Sequence, residues 1–309
     1  MSEAASAGRR GRGTDSREMA PEVLPPSATF ERIETNGIEL HTLVAGDDDA
    51  PPAFLFHGFP EFWYGWRAQI EPLVDAGYRV IVPDQRGYNR SDKPAGVGAY
   101  AIDEMAADAV GLLDAFGCDR ARVVGHDWGA GVVWQLLARH PERIDRAVAM
   151  NVPHPQVFEE FLPGRPSQLL KSWYIFFFQL PRIPEVAWRA DDWRGLRWFI
   201  DTSNSPETFD ERALDRYKRA WERPGAFTGM INWYRALVRE DVPEPPTWTV
   251  EPETMLIWGM EDPYLHPEMA EASTEWCSNG RFEPIEDATH WVQHEADERV
   301  NDLLREFLE

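Results

Sequence analysis

Gly125-His126-Asp127-Trp128-Gly129 stands between the apolar run Arg122-Val123-Val124 and a helix-like run from Ala130 to His140. A short β-rich segment that meets small residues and turns at once into a helix has the form of a nucleophile elbow, which lifts one side chain clear of a sheet. The raised residue is Asp127. Glycines suit such a turn because a Cβ would clash where strand and helix are forced together. The usual elbow carries serine; this one carries a carboxylate, which suits a different electrophile. An aspartate after a strand also serves as a helix N-cap, so Asp127 alone decides nothing.

Outward from the elbow, the chain reads as strands alternating with helices. Thr29–Thr35 and Ile38–Ala45 predict a hairpin turning at Asn36-Gly37. Ala53–Phe56 and Tyr78–Val82 follow as short strands, then a helix over Asp103–Phe116 with Asp103 as its N-cap. After the elbow come a strand at Ala147–Asn151 and, later, Thr254–Trp258, a helix near Pro267–Cys277, a strand near Phe282–Ile285 and a closing helix from about Glu295 to Leu308. This alternation predicts an α/β fold with a mostly parallel eight-stranded sheet flanked by helices. Between Val152 and Thr249 the alternation stops, and the segment is rich in Trp, Phe, Tyr and Arg with scattered prolines. The expected organisation is a tail over 1–27, a core over 28–151 and 250–309, and an inserted helical cap over 152–249.

Composition bounds the partners. The 309 residues carry 53 acidic against 31 basic side chains, a formal charge of −22, which argues against nucleic acid or an anionic membrane as partner. Only Lys93, Lys171 and Lys218 are lysines. Such a surface suits a high-salt cytoplasm that screens its self-repulsion; a GC-rich genome gives the same arginine bias. Cys118 and Cys277 lie far apart, in no metal-ligand spacing, which points to a reducing, cytoplasmic setting and to no metal. The first 27 residues read as disordered, Arg9-Arg10 has no apolar run behind it for an export signal, and Trp173–Phe178 is too short to span a bilayer.

Three residues fall at the carboxyl ends of predicted strands, where open α/β sheets bind ligands. These are Asp127, Asp262 after Trp258-Gly259-Met260-Glu261, and His290 after Glu286-Asp287-Ala288-Thr289. The order nucleophile, acid, histidine is that of the α/β-hydrolase triad. Glu261 and Asp287 compete with Asp262, and His294 with His290, but position after the strand favours the latter in each case. The loop His57-Gly58-Phe59-Pro60 could offer the Phe59 N–H, with that of Trp128, as an oxyanion hole. His57, His126 and His154 read as structural, and Arg86 as a residue that fixes its loop.

The elbow, the loop His57-Gly58-Phe59-Pro60-Glu61 and the closing Thr289-His290-Trp291 together resemble the α/β-hydrolase-fold epoxide hydrolases. Ser172-Trp173-Tyr174-Ile175-Phe176-Phe177-Phe178-Gln179 and Asn232-Trp233-Tyr234-Arg235 are similar to the segments that carry that family's two ring-opening tyrosines. The resemblance runs from Thr29 to the end. It implies attack by Asp127 on an epoxide carbon, hydrogen bonds from Tyr174 and Tyr234 to the epoxide oxygen, and hydrolysis of the resulting ester by water that His290, oriented by Asp262, activates. The substrate would be a small apolar or aromatic epoxide, with no cofactor. Haloalkane and haloacid dehalogenases share the fold and the aspartate. In them Trp128 would hold halide with a second Trp or Asn, but Phe59 stands where one such group carries Asn, and Trp128 and Ala130 stand near where fluoroacetate dehalogenases carry arginines. A ligand sensor on the same fold would need no triad.

Overall fold

The computed structural model describes Arg9–Arg10, residues 23–203 and residues 208–309. Of the expected tail, residues 1–8 and 11–22 lie outside the described residues; Arg9–Arg10 form a two-residue strand, β1, beside Arg32 and Ile33. The main strands are β2 (Thr29–Thr35), β3 (Ile38–Ala45), β4 (Pro52–Phe56), β5 (Arg79–Pro83), β6 (Ala121–His126), β7 (Ile144–Met150), β8 (Glu253–Gly259) and β9 (Gly280–Ile285). They form one sheet in the order β1-β2-β3-β5-β4-β6-β7-β8-β9, antiparallel as far as β5 and parallel from there on. This is the α/β-hydrolase fold.

Local chemistry accounts for the pieces. Asn36 and Gly37 both hold positive φ, 43° and 74°, the conformation that a two-residue hairpin turn requires. Successive strand residues point to opposite faces, yet Ala53–Phe56, Val123–His126, Ala147–Met150 and Thr254–Gly259 are buried at every position. Both faces of the parallel part are therefore covered. The flanking helices are α1 (Arg67–Asp75), α2 (Ile102–Ala115) and α3 (Trp128–Arg139), with α10 (Glu268–Thr274), α11 (Val292–Glu295) and α12 (Asp297–Leu308) after the insert. Helix α1 packs on α12, and α2 on α3.

The elements differ from expectation in three places. Helix α1 was not foreseen, because Pro72 inside it breaks the helical pattern of the sequence. The N-cap of α2 is Ala101 rather than Asp103, which sits in the first turn with Glu104, where carboxylates favour the positive end of the helix. The closing helix is two, α11 and α12, parted at Ala296.

Between β7 and β8 the regular elements among the described residues are helices: α4 (Pro155–Gly164), α5 (Pro166–Lys171), α6 (Trp173–Phe178), α7 (Ile183–Ile200), α8 (Glu211–Trp221) and α9 (Ala226–Arg239). Helix α7 is kinked, since Asp191, Asp192 and Trp193 hold φ of 51°, 57° and 63°. Helix α9 rests on the core: the Cα of Gly87 lies 2.8 Å from where a Cβ on Gly229 would be, and the Trp233 indole N–H donates to the Arg86 carbonyl at 3.0 Å. Arg86 in turn is fixed by a two-pronged ion pair to Asp108 at 2.6 and 2.7 Å. The insert thus meets the core beside the carboxyl end of β5.

Candidate active site

The elbow forms as its sequence requires. Strand β6 ends at His126, Asp127 takes φ 50° and ψ −123°, and α3 begins at Trp128. A Cβ on Gly129 would sit 1.9 Å from the Phe56 carbonyl oxygen, and one on Gly125 would sit 2.3 Å from the Gly129 oxygen. Only glycine lets strand and helix approach so closely. Asp127 occupies the N-cap position of α3, but its side chain caps nothing. Its Oδ1 accepts the Phe59 N–H at 2.6 Å, and its Oδ2 lies 3.5 Å from His290 Nε2. Trp128 opens α3, and a first-turn amide has no intrahelical carbonyl to bond.

Two further loops, those after β9 and β8, complete the group around this carboxylate. His290, in the loop after β9, donates from Nδ1 to Asp262 Oδ2 at 2.8 Å. Asp262, in the loop after β8, also takes the Asn151 amide at 2.8 Å and the backbone N–H groups of Tyr264 and Leu265 at 2.7 and 3.0 Å. Burial works to raise the Asp262 carboxyl, but the His290 charge and these donors outweigh it and hold it below the usual carboxylate range. Burial works to lower His290; the carboxylates of Asp262 and Asp127 outweigh it and push it up to about 10. The three side chains are an electrostatically coupled unit.

Tyr174 on α6 and Tyr234 on α9 bring their rings to a centroid distance of 5.7 Å at 85°. Tyr234 also meets Trp128 at 5.1 Å and Phe59 at 5.2 Å. Burial, and then the negative charge of Asp127, push both phenols well above the usual tyrosine range, so both stay protonated donors. A cavity of about 370 Å³ is lined by Asp127, Trp128, Trp134, Phe158, Tyr174 and Tyr234 among others. The two tyrosine-bearing motifs are bonded to each other. Gln179 Nε2 donates to the Tyr234 carbonyl at 2.8 Å, Arg235 Nε to the Phe178 carbonyl at 3.0 Å, and Arg235 pairs with Glu185 at 2.8 Å.

Beneath the elbow lies a second buried carboxylate. Glu61 accepts from the Tyr217 hydroxyl at 2.6 Å, Gln293 Nε2 at 3.0 Å and His294 Nε2 at 2.8 Å. His126 Nε2 donates to the His290 carbonyl at 2.8 Å, while its Nδ1 accepts from Gln293. His294, the alternative base in the sequence, therefore faces Glu61. Glu261 and Asp287, the alternative acids, are exposed, whereas Asp262 is buried.

The structure brings Asp127, Asp262, His290, Phe59, Trp128, Tyr174 and Tyr234 into one region. Sequence reasoning passed over Asn151, whose positive φ of 51° and bond to Asp262 leave no pattern in the chain. It also passed over Glu61, although that residue stands in the His57–Glu61 motif.

A carboxylate at the elbow, backed by histidine and a second aspartate in this chain order, is the arrangement of an α/β hydrolase with aspartate in the nucleophile's position. Residues 51–297 match the alpha/beta hydrolase fold family. An AB hydrolase superfamily protein of Bacillus subtilis is 48% identical over 276 residues, 89% of this chain and 96% of the relative. Epoxide hydrolase A of Mycobacterium tuberculosis is 36% identical over 91% of this chain and 97% of its own. The crystal structure of Bacillus megaterium epoxide hydrolase superposes with a TM-score of 0.83 at 30% identity, covering 90% of this chain and 99% of that one. The chain belongs to the α/β-hydrolase-fold epoxide hydrolases.

Proposed function

We propose that the enzyme opens an epoxide to a vicinal diol through an ester on Asp127, with the helices over 152–249 acting as a cap that carries the acid side of the chemistry. The observation that supports this most is the pair of buried phenols, Tyr174 and Tyr234, facing each other at the cavity that also holds Asp127. An epoxide's leaving group is an alkoxide, far too basic to depart unaided, and it needs donors that can give a proton. A halide needs only N–H dipoles. Two phenols in this position therefore favour the epoxide over the haloalkane.

In the first step Asp127 Oδ2, which the Phe59 amide leaves free, attacks a ring carbon. The C–O bond breaks, and a tyrosine passes its proton to the departing oxygen. Oδ1, already on the Phe59 N–H, becomes the ester carbonyl oxygen. That step also removes the negative charge that helps hold His290 protonated, so His290 falls from about 10, gives its proton by way of solvent to the tyrosinate and becomes a base. Water attacks the ester carbonyl, His290 takes one of its protons, and the oxyanion rests on the Phe59 and Trp128 amides; the acyl C–O bond then breaks, the departing alkoxide takes the water's other proton, and the diol leaves Asp127 as a carboxylate beside protonated His290. The apolar lining supports an apolar or aromatic substrate, and the free thiols of Cys118 and Cys277 are in keeping with a cytoplasmic protein.

Excess enzyme reacted once in H₂¹⁸O tests the ester. The expected result is unlabelled diol and ¹⁸O in the Asp127 peptide; label in the first diol means direct attack by water and overturns the ester. Assays with an aryl epoxide and a bromoalkane, reading diol and halide separately, test the leaving group. Halide release without diol formation makes the protein a dehalogenase.

A further inference from the structure

The space around the two tyrosines is unequal. On one side the cavity runs from Asp127 past Trp128 and Trp134 to Phe158 and Trp248. On the other, Phe59, Phe178, Trp188, Phe199 and Tyr264 close upon one another. Phe178 lies 4.9 Å from both Tyr234 and Trp188, Phe199 lies 5.4 Å from Tyr174 and 4.5 Å from Tyr264, and Phe59 meets Phe178 at 5.6 Å and Phe199 at 5.7 Å. All five are buried, Phe178 completely and Phe59 to within 1%. Interlocked rings at these spacings leave no room for a further group, and displacing one strains its neighbours.

Backbone bonds hold the wall in place. The Tyr264 hydroxyl donates to the Phe199 carbonyl at 2.7 Å, and the Tyr264 amide donates to Asp262, which ties the wall to the aspartate that holds His290. On the Phe178 side, Arg235 grips the carbonyls of Phe178 and Leu180, each at 3.0 Å. Helices α6, α7 and α9 thus present one ring surface to whatever lies between the tyrosines and Asp127.

From this geometry we infer that the enzyme selects terminal epoxides, those with one substituted ring carbon, and excludes trans-1,2-disubstituted ones. The inference rests on the epoxide-hydrolase reading above. With the epoxide oxygen at the tyrosines and a ring carbon at Asp127, one ring carbon faces the cavity and its substituent runs toward Trp134 and Phe158. The other faces the ring wall, where only hydrogens fit. Phe178 and Phe199 are the residues that set this limit.

Styrene oxide and trans-stilbene oxide, assayed for diol with the full chain, give the test. The wild type is expected to convert styrene oxide with a kcat/KM at least about a hundredfold higher, the scale on which a shaped apolar pocket discriminates. Phe199→Ala and, separately, Phe178→Ala are expected to narrow that ratio about tenfold or more, whereas Phe176→Ala, an exposed ring on the same helix as Phe178, leaves it unchanged. Turnover of styrene oxide by each variant shows that it has folded. Wild-type rates within tenfold of each other overturn the inference, as does an unchanged ratio in a wall variant that still turns over styrene oxide. If neither epoxide reacts while a bromoalkane does, it is the parent reading that fails, and the terminal-epoxide inference with it.

Discussion

Asp127 holds a left-handed backbone conformation that costs a non-glycine residue about 1–3 kcal/mol, and its neighbours repay that cost only by putting the carboxylate where it is needed. The bond to Phe59 pins one oxygen and leaves the other toward His290. This division of labour makes a residue-level prediction. His290→Gln should form the ester and stop there, giving a burst of one ester per site, detectable as a mass increase on the Asp127 peptide. A variant that continues to turn over at the wild-type rate would mean that another group activates the water. In the wild type, ester hydrolysis should speed up with rising pH as His290 loses its proton. The midpoint should lie below about 10, because the ester has removed the Asp127 charge that contributes to that value. Replacing Tyr174 or Tyr234 by Phe should each lower the rate of ester formation about a hundredfold or more, and the double change should abolish epoxide turnover. Ester formation measured in single turnover checks it.

At the scale of elements, the two tyrosines are only as well placed as the helices that carry them. Helix α9 is held by Arg235 through the carbonyls of Phe178 and Leu180 and through Glu185, and by Trp233 through the Arg86 carbonyl. Arg235→Lys keeps the charge but loses the planar fork that reaches three partners at once. It should lower kcat about tenfold with little change in the His290-dependent second step, a split that burst kinetics can read; equal slowing of both steps would place the effect elsewhere. Much of this level was legible beforehand. The hairpin at Asn36-Gly37 and the elbow each need particular small residues, so composition betrays them. Helix α1 did not show, since Pro72 interrupts its pattern, and neither did the kink in α7, where three ordinary side chains adopt positive φ under packing that no local rule records. In the site the triad could be read from its position after strands. Asn151 could not, because its partner Asp262 lies 111 residues away and the link exists only once the sheet has formed.

For the whole molecule, the buried histidines bracket the stable pH range. Burial lowers His294 and His154 to about 4 from an unfolded value of 6.5. Between pH 6.5 and 4 the unfolded chain takes up protons that the native one refuses, so stability is full above 6.5 and is lost on acidification through that window. His290 has the opposite sign: its contribution is full below 6.5 and is lost as pH rises through about 10. Thermal melts from pH 4.5 to 10 should show Tm falling at both ends, and His294→Gln, which keeps a donor toward Glu61, should flatten the acid side. An unchanged acid limb in that variant would exclude His294 as its cause. The charge of −22 adds a salt dependence. If a saline cytoplasm shaped the surface, Tm should climb steeply into molar KCl as self-repulsion is screened; a flat profile assigns the arginine bias to genome composition.

The bonds from Gln179 to Tyr234 and from Arg235 to Phe178 join residues 55 and 57 positions apart. They close the intervening chain into a loop whose two ends are pinned at the two tyrosine-bearing motifs. Trp188 and Phe199 lie within that loop, Tyr174 lies outside it, and Tyr234 is itself one of the pinned ends. The part of that stretch ahead of α9 can therefore be lengthened, bent or given other rings while both tyrosines keep their anchors. A lineage built this way can explore new substrates at little risk to its chemistry, and a protein engineer could graft that loop between relatives as a single cassette.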